Sequence, residues 1–417
     1  MDFVGGNTNA DHLCVLVHGL WGNPNHMNNV AKALRAQYSR DELYLLLAKR
    51  NSGSFTYDGI ELGGERVCAE IIEELRTIEE NGGKIKKLSV VGYSLGGLIS
   101  RYAVGLLYAK GVLDSVECMN FVTFASPISA YEPHSKDGTT TYGTFSAQEL
   151  YQSVMTDSNS IFMTGLQKFK RHTLYSNIVN DRSAVYYTTC IEKTDPYRDL
   201  DRLKVNYLKG HENLILDVAN PFTPRPKING PATFSSVTTA TLGYVKSIPL
   251  VLTVSVLLPV GVVAFLINSV FQTVRSSKRI RLYPEQAGFN VDEYRVPILI
   301  KELRGEVEHA YEALTNSHDQ EYLGAEDEDD DVVMNAEERS TMVRERRLSM
   351  PTQPTLALAP CQFEMVRSLN DVKWRKYPVW IQKHRHSHAA IIVRMDKQGF
   401  AEGWQVLNHF AGEEFLI

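Results

Sequence analysis

Apolar stretches of strand length alternate with amphipathic stretches over the first 130 residues. Leu13–Gly19, "LCVLVHG", is a continuous run of the kind that forms a strand buried on both faces. Gly64–Asn81 has helical periodicity and stops at Gly82-Gly83, which is a signal for the end of a helix. Further predicted strands are "ELYLLLAK", "KLSVVG" and "MNFVTFASP", and further predicted helices are "NVAKALRAQY" and "LGGLISRYAVGLLYAKG". This alternation predicts an α/β fold, with a mostly parallel sheet covered by helices.

The pattern changes beyond residue 131. Glu132–Arg171 is loosely patterned and is the segment in which we expect any lid, and "TLYSNIVND" and "AVYYTTCI" then have strand character. Ile248–Phe271 contains no charged residue, whereas the later "AEDEDDD" and "RERRLSMPTQP" are too polar to pack and predict disorder. The predicted divisions are a core over 11–235, an apolar element over 246–275, a polar helical segment over 276–320, a disordered linker over 321–358 and a C-terminal part of the core over 359–417.

Composition excludes several classes of protein. The 417 residues are 43% apolar and 22% charged, as expected for a globular chain with a sizeable core. The net charge of −5 gives no reason to expect a nucleic-acid partner. The five cysteines include no C-x-x-C pair, which argues against a disulfide framework or a zinc ribbon and suits a reducing compartment. No signal peptide is visible in "MDFVGGNTNADH".

Gly92-Tyr93-Ser94-Leu95-Gly96 is a G-x-S-x-G pentapeptide between a predicted strand and a predicted helix. A nucleophile elbow needs this context, because Gly92 and Gly96 allow the strand and helix to approach closely. The turn would lift the Ser94 hydroxyl out of the sheet at the N-terminus of the helix. Ser94 is therefore the candidate nucleophile, and the alternative is a glycine-rich turn that merely contains serine.

The first predicted strand ends at His18-Gly19, where open α/β sheets place their sites. The following loop can donate the backbone N–H of Leu20 to an oxyanion, and Leu95, directly after the nucleophile, can supply the second N–H. For His18 we favour a buried role in shaping this loop over direct proton transfer.

A triad on this fold follows the chain order serine, acid, histidine. Asp181 ends a predicted strand and is the candidate acid, with Asp195 as its competitor. His388 precedes an apolar run and is the candidate base, with His211 as its rival. The residues alone leave both choices open.

His384, His386 and His388 alternate, so on a strand they would share one face, as metal ligands sometimes do. No fourth ligand clusters with them. A loop carrying one catalytic histidine is therefore the favoured interpretation, and no metal is expected.

Five segments of the sequence carry a resemblance to a known family: "VLVHGLWGNPNHM", "FTYDGIELGGERV", "KLSVVGYSLGGLISRY", "YSNIVNDRSAVYYT" and "KYPVWI…HAAIIVRM". They resemble the eukaryotic "putative serine esterase" family of α/β-hydrolases, and the similarity is greatest to its fungal lipid-droplet phospholipases B. The resemblance implies an α/β-hydrolase fold, glycerophospholipid ester hydrolysis without a cofactor, and residence on lipid droplets. It matches Ser94, Asp181 and His388. It departs at Ser126-Pro127-Ile128, where relatives often have Thr-Pro-His.

Ile248–Phe271, at 24 residues, would be roughly 36 Å long as one helix, enough to cross a bilayer. A single pass would leave His388 on the opposite face from Ser94. Pro259 at its midpoint favours a hairpin dipping into one leaflet, with positive charge at both ends and the active site on the cytosolic side. A lipid-droplet monolayer suits such a hairpin, and the endoplasmic reticulum membrane is the second expected location.

The sequence thus predicts a serine-dependent hydrolase releasing fatty acids from glycerophospholipids. Its alternatives are a mono- or triacylglycerol lipase and a non-catalytic lipid-droplet tether or scaffold. Arg346-Arg347-Leu348-Ser349 also has the shape of a basophilic kinase site, although such a run is more often only a solvated linker.

Overall fold

Six parallel strands form the central sheet of the computed structural model, which describes residues 3–128, 160–225 and 360–417. In spatial order they are β2 (Leu43–Leu47), β1 (His12–Val17), β3 (Lys87–Tyr93), β4 (Glu117–Phe124), β5 (Arg171–Asn177) and β8 (Arg375–Val379). A separate antiparallel pair consists of β6 (Leu203–Val205) and β7 (Phe222–Pro224). The predicted mostly parallel sheet is confirmed.

Helices connect these strands. The described α-helices are α1 (Asn28–Gln37), α2 (Gly59–Glu80), α3 (Leu95–Ala109), α4 (Val112–Ser115), α5 (Ile161–Gln167), α6 (Tyr186–Thr189), α7 (Pro360–Asn370), α8 (Ser387–Ala390) and α9 (Gly403–His409). Short 3₁₀ turns lie at Pro24–Met27, Gly53–Asp58, Pro196–Arg202 and Gln398–Phe400, and a π-turn over Phe410–Glu414 continues α9.

Both faces of the sheet are covered, which explains the continuous apolar runs in the strands. Every residue of β1 is buried. Leu13, Val15 and Val17 pack into one core layer with α2 and α3, whereas Cys14 and Leu16 pack into the opposite layer with α1 and α9. Because side chains alternate along a strand, a strand buried on both sides is apolar at nearly every position, and in β1 only His12, its first residue, is polar.

The predicted strand in "AVYYTTCI" is wrong. Tyr186–Thr189 forms the short helix α6, which follows the extended residue Val185. The hydroxyls of Thr188 and Thr189 donate to the Val185 carbonyl at 2.9 and 3.3 Å, and Cys190 N–H donates to the Tyr186 carbonyl at 2.8 Å. Aromatic and β-branched residues favour strands because they suit a buried surface. Here a single buried helical turn provides that burial instead.

The segment expected to hold a lid is described only from Ser160 onward. There α5 buries Phe162, Met163 and Leu166 in the core, and Phe162 lies so close to α3 that a Cβ on Gly105 would meet its Cδ1 at 2.3 Å. This end of the segment is therefore part of the core.

The remaining residues of the proposed lid, the apolar element Ile248–Phe271, the divisions 276–320 and 321–358, and Ser349 lie outside the described residues. Among the residues that are described, no helix combines the length and the apolar character needed to cross a membrane.

The C-terminal residues complete the sheet. β8 pairs with β5 from Thr173↔Arg375 to Asn177↔Val379, and β5 pairs in turn with β4. Parallel strands end at the same edge of a sheet, so residues that follow β1, β3, β5 and β8 meet at one edge. The candidate site residues follow these strands.

Buried His12 generates a prediction for stability. Its side chain is fully buried with Nε2 bonded to Ser89 Oγ at 2.7 Å, and burial, reinforced by Lys87, lowers its pKa from 6.5 to about 4. Below pH 6.5 the unfolded chain takes up a proton on His12 that the folded chain does not, and this uptake lowers the free energy of unfolding. The contribution of neutral His12 to stability is therefore fully present above pH 6.5 and is lost as pH falls toward 4. The loss is at most about 3 kcal/mol.

We expect Tm to fall between pH 6.5 and 4 in wild type, and to fall less steeply in His12→Gln, which cannot protonate. Thermal unfolding followed by circular dichroism across this pH range measures both slopes. The matched control His386→Gln, at an exposed position, should retain the wild-type slope. Equal slopes in wild type and His12→Gln would contradict the prediction.

Candidate active site

Ser94 sits in a strained turn between β3 and α3. Its φ of 55° and ψ of −129° are a backbone conformation that residues with a Cβ rarely adopt. The turn is held by its neighbours: Ser94 N–H donates to the Phe124 carbonyl at 2.9 Å, and the Ser94 carbonyl accepts from Gly97 N–H at 3.0 Å and from Ser126 Oγ at 2.8 Å. These bonds fix the hydroxyl at the carboxyl edge of the sheet.

Close packing explains the two outer glycines of the pentapeptide. A Cβ on Gly96 would lie 2.3 Å from the Val17 carbonyl oxygen and 2.6 Å from that of His18. A Cβ on Gly92 would lie 2.5 Å from Gly97 Cα. Side chains at either position would therefore push α3 away from β1 and β3, as expected for a nucleophile elbow.

Asp181 follows β5 and its carboxylate is fully engaged. Oδ1 accepts from the backbone N–H groups of Ser183 and Ala184 at 3.0 and 2.9 Å, and Oδ2 accepts from Asn177 Nδ2 at 2.8 Å. Oδ2 also lies 2.9 Å from His388 Nδ1. The side chain is 2% exposed, so these partners hold it in one orientation toward the imidazole.

His388 lies in α8 and joins the acid to the serine. Its Nδ1 lies 2.9 Å from Asp181 Oδ2, and its Nε2 lies 2.9 Å from Ser94 Oγ. A carboxylate only accepts hydrogen bonds, so Nδ1 carries the proton and Nε2 accepts from the serine hydroxyl. The loop is anchored because Ser387 Oγ donates to the Val179 carbonyl and Tyr93 Oη donates to the His388 carbonyl.

The loop after β1 lies directly against the nucleophile. A Cβ on Gly19 would be 2.8 Å from Ser94 Cβ and 3.3 Å from its Oγ. Leu20 follows in this loop, and Leu95 is the first residue of α3, where backbone N–H groups have no partner within the helix. The structure thus brings both predicted N–H donors to the surroundings of Ser94.

His18 is buried and bonds its own loop. Its Nδ1 lies 3.0 Å from the Gly19 carbonyl oxygen, to which it donates, and burial lowers the pKa of the imidazole. Gly22 closes the same loop: its N–H donates to the Gly19 carbonyl, and a Cβ there would lie 2.6 Å from His18 Nδ1. A neutral histidine that shapes the loop fits this environment.

The rival residues have other partners. Asp195 caps a 3₁₀ turn by accepting from Tyr197 N–H at 3.0 Å. His211 Nε2 pairs with Glu413 at 2.7 Å. His384 and His386 lie in a loop rather than on a strand, so the shared face required by the alternating-histidine metal site does not form.

Two supporting residues were missed by the sequence analysis. Asn177 holds the acid, and the spacing of four residues in "NIVND" is a signal that could have identified it. Ser126 supports the elbow through the Ser94 carbonyl, and a Cβ on Gly97 would lie only 2.2 Å from its Oγ. This contact explains a small hydroxyl residue at position 126.

The arrangement supplies a hydroxyl, an imidazole facing it, and a carboxylate behind the imidazole. This is the constellation that activates a serine for attack on an acyl group. The strand order, the elbow and the chain order of the three residues define a hydrolase of the α/β-hydrolase class.

The family can be stated more narrowly. Residues 7–137 and 135–194 match the family described as "Putative serine esterase (DUF676)", so this part of the chain is similar to that family. The matched residues contain Ser94 and Asp181, whereas His388 lies beyond them.

Curated relatives are yeast proteins named as lipases. The chain is 29% identical over 247 residues to "Putative lipase ROG1" of Saccharomyces cerevisiae, covering 50% of this chain and 33% of that protein. It is 24% identical over 204 residues to "Putative lipase C4A8.10" of Schizosaccharomyces pombe, covering 43% and 26%. The chain therefore spans about a third or less of these relatives' length.

Solved structures with local similarity are also hydrolases. They include the "putative cell surface hydrolase" of Lactobacillus plantarum, at 12% identity, TM-score 0.27 and coverage of 44% of this chain and 75% of that one. A "Lipase-esterase related protein" of Clostridium acetobutylicum has 19% identity, TM-score 0.23 and coverage of 32% and 49%. The fold assignment rests on the strand order and the elbow, and not on these scores.

Gly19→Ala tests the packing of the loop on the nucleophile. The added methyl would displace Ser94 or the loop, and misplacement of about 1 Å can cost about 100-fold in rate. We expect kcat/KM on a soluble p-nitrophenyl ester to fall about 100-fold. Gly412→Ala is the matched control, since its Cβ would meet nothing closer than Gln37 Nε2 at 3.9 Å. Wild-type kcat/KM in Gly19→Ala would refute the assignment of this loop to the site.

Proposed function

We propose that the chain is a serine-dependent lipid ester hydrolase that releases fatty acids from glycerophospholipids. The observation that carries this proposal is the continuous hydrogen-bonded path from Ser94 Oγ through His388 to Asp181. A tether or scaffold would not need this path. In such a protein the strained backbone of Ser94 would lower stability and serve no function.

Acylation begins at the serine. Ser94 Oγ attacks the ester carbonyl carbon while His388 Nε2 takes the hydroxyl proton. The tetrahedral intermediate collapses when the imidazolium gives that proton to the leaving alkoxide, so lysolipid or glycerol alcohol departs and an acyl-serine remains. Asp181 holds the imidazole in the required tautomer and stabilises its charged form.

Deacylation repeats these steps with water. His388 removes a proton from water as the oxygen attacks the acyl carbon, and then returns the proton to Ser94 Oγ. One ester and one water give one fatty acid and one alcohol. In both halves the negative charge on the carbonyl oxygen is bound by the N–H groups of Leu20 and Leu95.

An apolar acyl substrate is supported by exposed aromatic side chains on the loops that follow β1 and β2. Trp21 and Phe55, on the loops after β1 and β2, are 49% and 41% exposed. Trp21 N–H donates to Thr56 Oγ1, and the indole contacts Tyr57, so the two loops are joined. Exposed aromatic side chains at a site entrance favour lipid over water-soluble substrates.

The lipid class of the substrate is inferred from sequence resemblance and not from the geometry of the site. Glycerophospholipid follows from the resemblance of the sequence motifs, whereas the yeast relatives are named lipases. Both ester classes use the same chemistry, so a mono- or triacylglycerol lipase is the second candidate.

Membrane anchoring forms part of the proposal. Ser94 and His388 are hydrogen-bonded, so the intervening chain must return to the side from which it left. A hairpin at Ile248–Phe271 satisfies this requirement and a single pass does not. We therefore place the enzyme on the monolayer of lipid droplets or on the endoplasmic reticulum membrane, with its active site on the cytosolic side.

Ser94→Ala tests the reaction and the substrate. We expect fatty-acid release from phospholipid vesicles to fall roughly 10⁶-fold, to background, because the nucleophile is lost. The measurement is released fatty acid from a panel of phospholipids and of mono- and triacylglycerols, with circular dichroism as the check on folding.

Ser115→Ala is the matched control, because Ser115 is exposed and bonds only the Val112 carbonyl at 2.8 Å among the contacts described. It should release fatty acid at the wild-type rate. Release from acylglycerols alone would replace the phospholipase by the second candidate. If folded wild type releases fatty acid from none of these lipids, the non-catalytic tether or scaffold becomes the favoured function.

Cysteine labelling tests the anchor. Ser115→Cys and Asp371→Cys introduce exposed thiols before and after the apolar element. Four native thiols are buried, and the fifth is removed by Cys361→Ser in all variants. We expect a membrane-impermeant maleimide to label both positions on intact microsomes without detergent, and the protein to remain in the membrane after alkaline extraction. Labelling of Asp371→Cys only after permeabilisation, or release on extraction, would contradict the hairpin.

A further inference from the structure

A second group of polar side chains lies near the outer edge of the sheet. Segment 206–217 covers this edge: Ile215 forms an antiparallel bridge with Val379 of β8, and Leu216 N–H donates to the Pro378 carbonyl at 2.9 Å. The segment carries His211, which faces His409 and Glu413 from the C-terminal end of the chain. None of these three residues belongs to the active site.

The three side chains converge. Their potential ligand atoms all lie within 4.8 Å of one another. His211 Nε2 is 2.7 Å from Glu413 Oε1, and His409 Nε2 is 3.9 Å from Glu413 Oε2, which is too long for a hydrogen bond. Ligands of a tetrahedral zinc ion are about 3.4 Å apart, so small side-chain shifts would accommodate an ion.

His409 is prepared to act as a ligand. Its side chain is 2% exposed, and its Nδ1 lies 2.7 Å from the buried Tyr175 hydroxyl. When Nδ1–H donates to this hydroxyl, the lone pair of Nε2 faces Glu413. A partner on the second ring nitrogen is what orients most metal-bound histidines.

The two adjacent carboxylates at the C-terminal end have different roles. Glu414 is buried and bonds Arg375 Nε and Nη2 at 2.7 and 2.8 Å and Tyr377 Oη at 2.7 Å. Glu413, four residues after His409, faces the histidines with a side chain that is 57% exposed. It can therefore move onto an ion, and solvent can reach the remaining coordination positions.

We propose that His211, His409 and Glu413 form a binding site for a divalent transition-metal ion of the zinc type. Two imidazole nitrogens and one carboxylate are a donor set that zinc uses, with water in the fourth position. The ion would connect segment 206–217 to the end of α9. It would thereby hold this segment in place along strand β8. Without an ion, His211 and Glu413 form only a hydrogen-bonded pair.

Metal binding to the full-length protein tests the proposal. Chelator-stripped protein in detergent is titrated with Co²⁺, whose visible absorption reports tetrahedral nitrogen and oxygen ligation, and with Zn²⁺ by calorimetry. We expect one equivalent to bind, and Tm to rise by about 5 °C at a hundredfold excess over Kd.

His211→Ala and Glu413→Gln should each weaken binding roughly 100-fold or more, since loss of even an outer partner of a ligand costs 10- to 100-fold. Both positions are partly exposed, so the variants should melt near wild type without metal. His386→Ala is the control for the exposed histidine loop and should bind as wild type does.

Three results would overturn the proposal. They are no saturable binding to wild type, unchanged affinity in both His211→Ala and Glu413→Gln, and binding that is lost only in His386→Ala. The first result would mean that His211 and Glu413 form only a hydrogen-bonded pair. The last would mean that the metal binds at the alternating histidines instead.

Discussion

The hydrogen bond between Ser94 Oγ and His388 Nε2 joins residues 294 positions apart, and the geometry of the active site depends on it. It requires the C-terminal residues to return to the sheet, which they do by adding β8 beside β5. It also requires any membrane element between the two residues to leave and re-enter on one side. Closing so long a loop costs entropy that rises only slowly with length, so a long insertion is tolerated once both ends are packed.

The nucleophile is positioned by backbone crowding more than by side-chain contacts. Carbonyl groups at the end of β1 approach α3 so closely that only glycine fits at position 96. The strained φ of Ser94 persists because its N–H and its carbonyl are both bonded to neighbouring segments. The strain at Ser94 lowers the stability of the fold. The burial of β1 and β3 on both faces offsets this loss.

Local signals allowed the sheet, the elbow and the loop after β1 to be predicted, because each depends on residues adjacent in sequence. The choices of Asp181 over Asp195 and of His388 over His211 could not be made from the residues alone, since they depend on which strand ends meet in space. The helix α6 was missed because its β-branched and aromatic residues report burial rather than backbone conformation. The cluster of His211 with Glu413 spans 202 positions and leaves no local pattern.

Three histidines show how one residue type acquires different roles from its surroundings. His18 is buried and its Nδ1 donates to a carbonyl of its own loop, which suits a role in shaping that loop. His409 bonds Tyr175 in the core and presents its other nitrogen to a carboxylate, which suits a ligand. Of these three, only His388 combines a hydrogen-bonded carboxylate on one nitrogen, a hydrogen-bonded hydroxyl on the other, and a side chain that is 12% exposed to an arriving substrate. A general base needs all three conditions, because it must be oriented, must face the proton that it removes, and must be reachable by the leaving group that it later protonates.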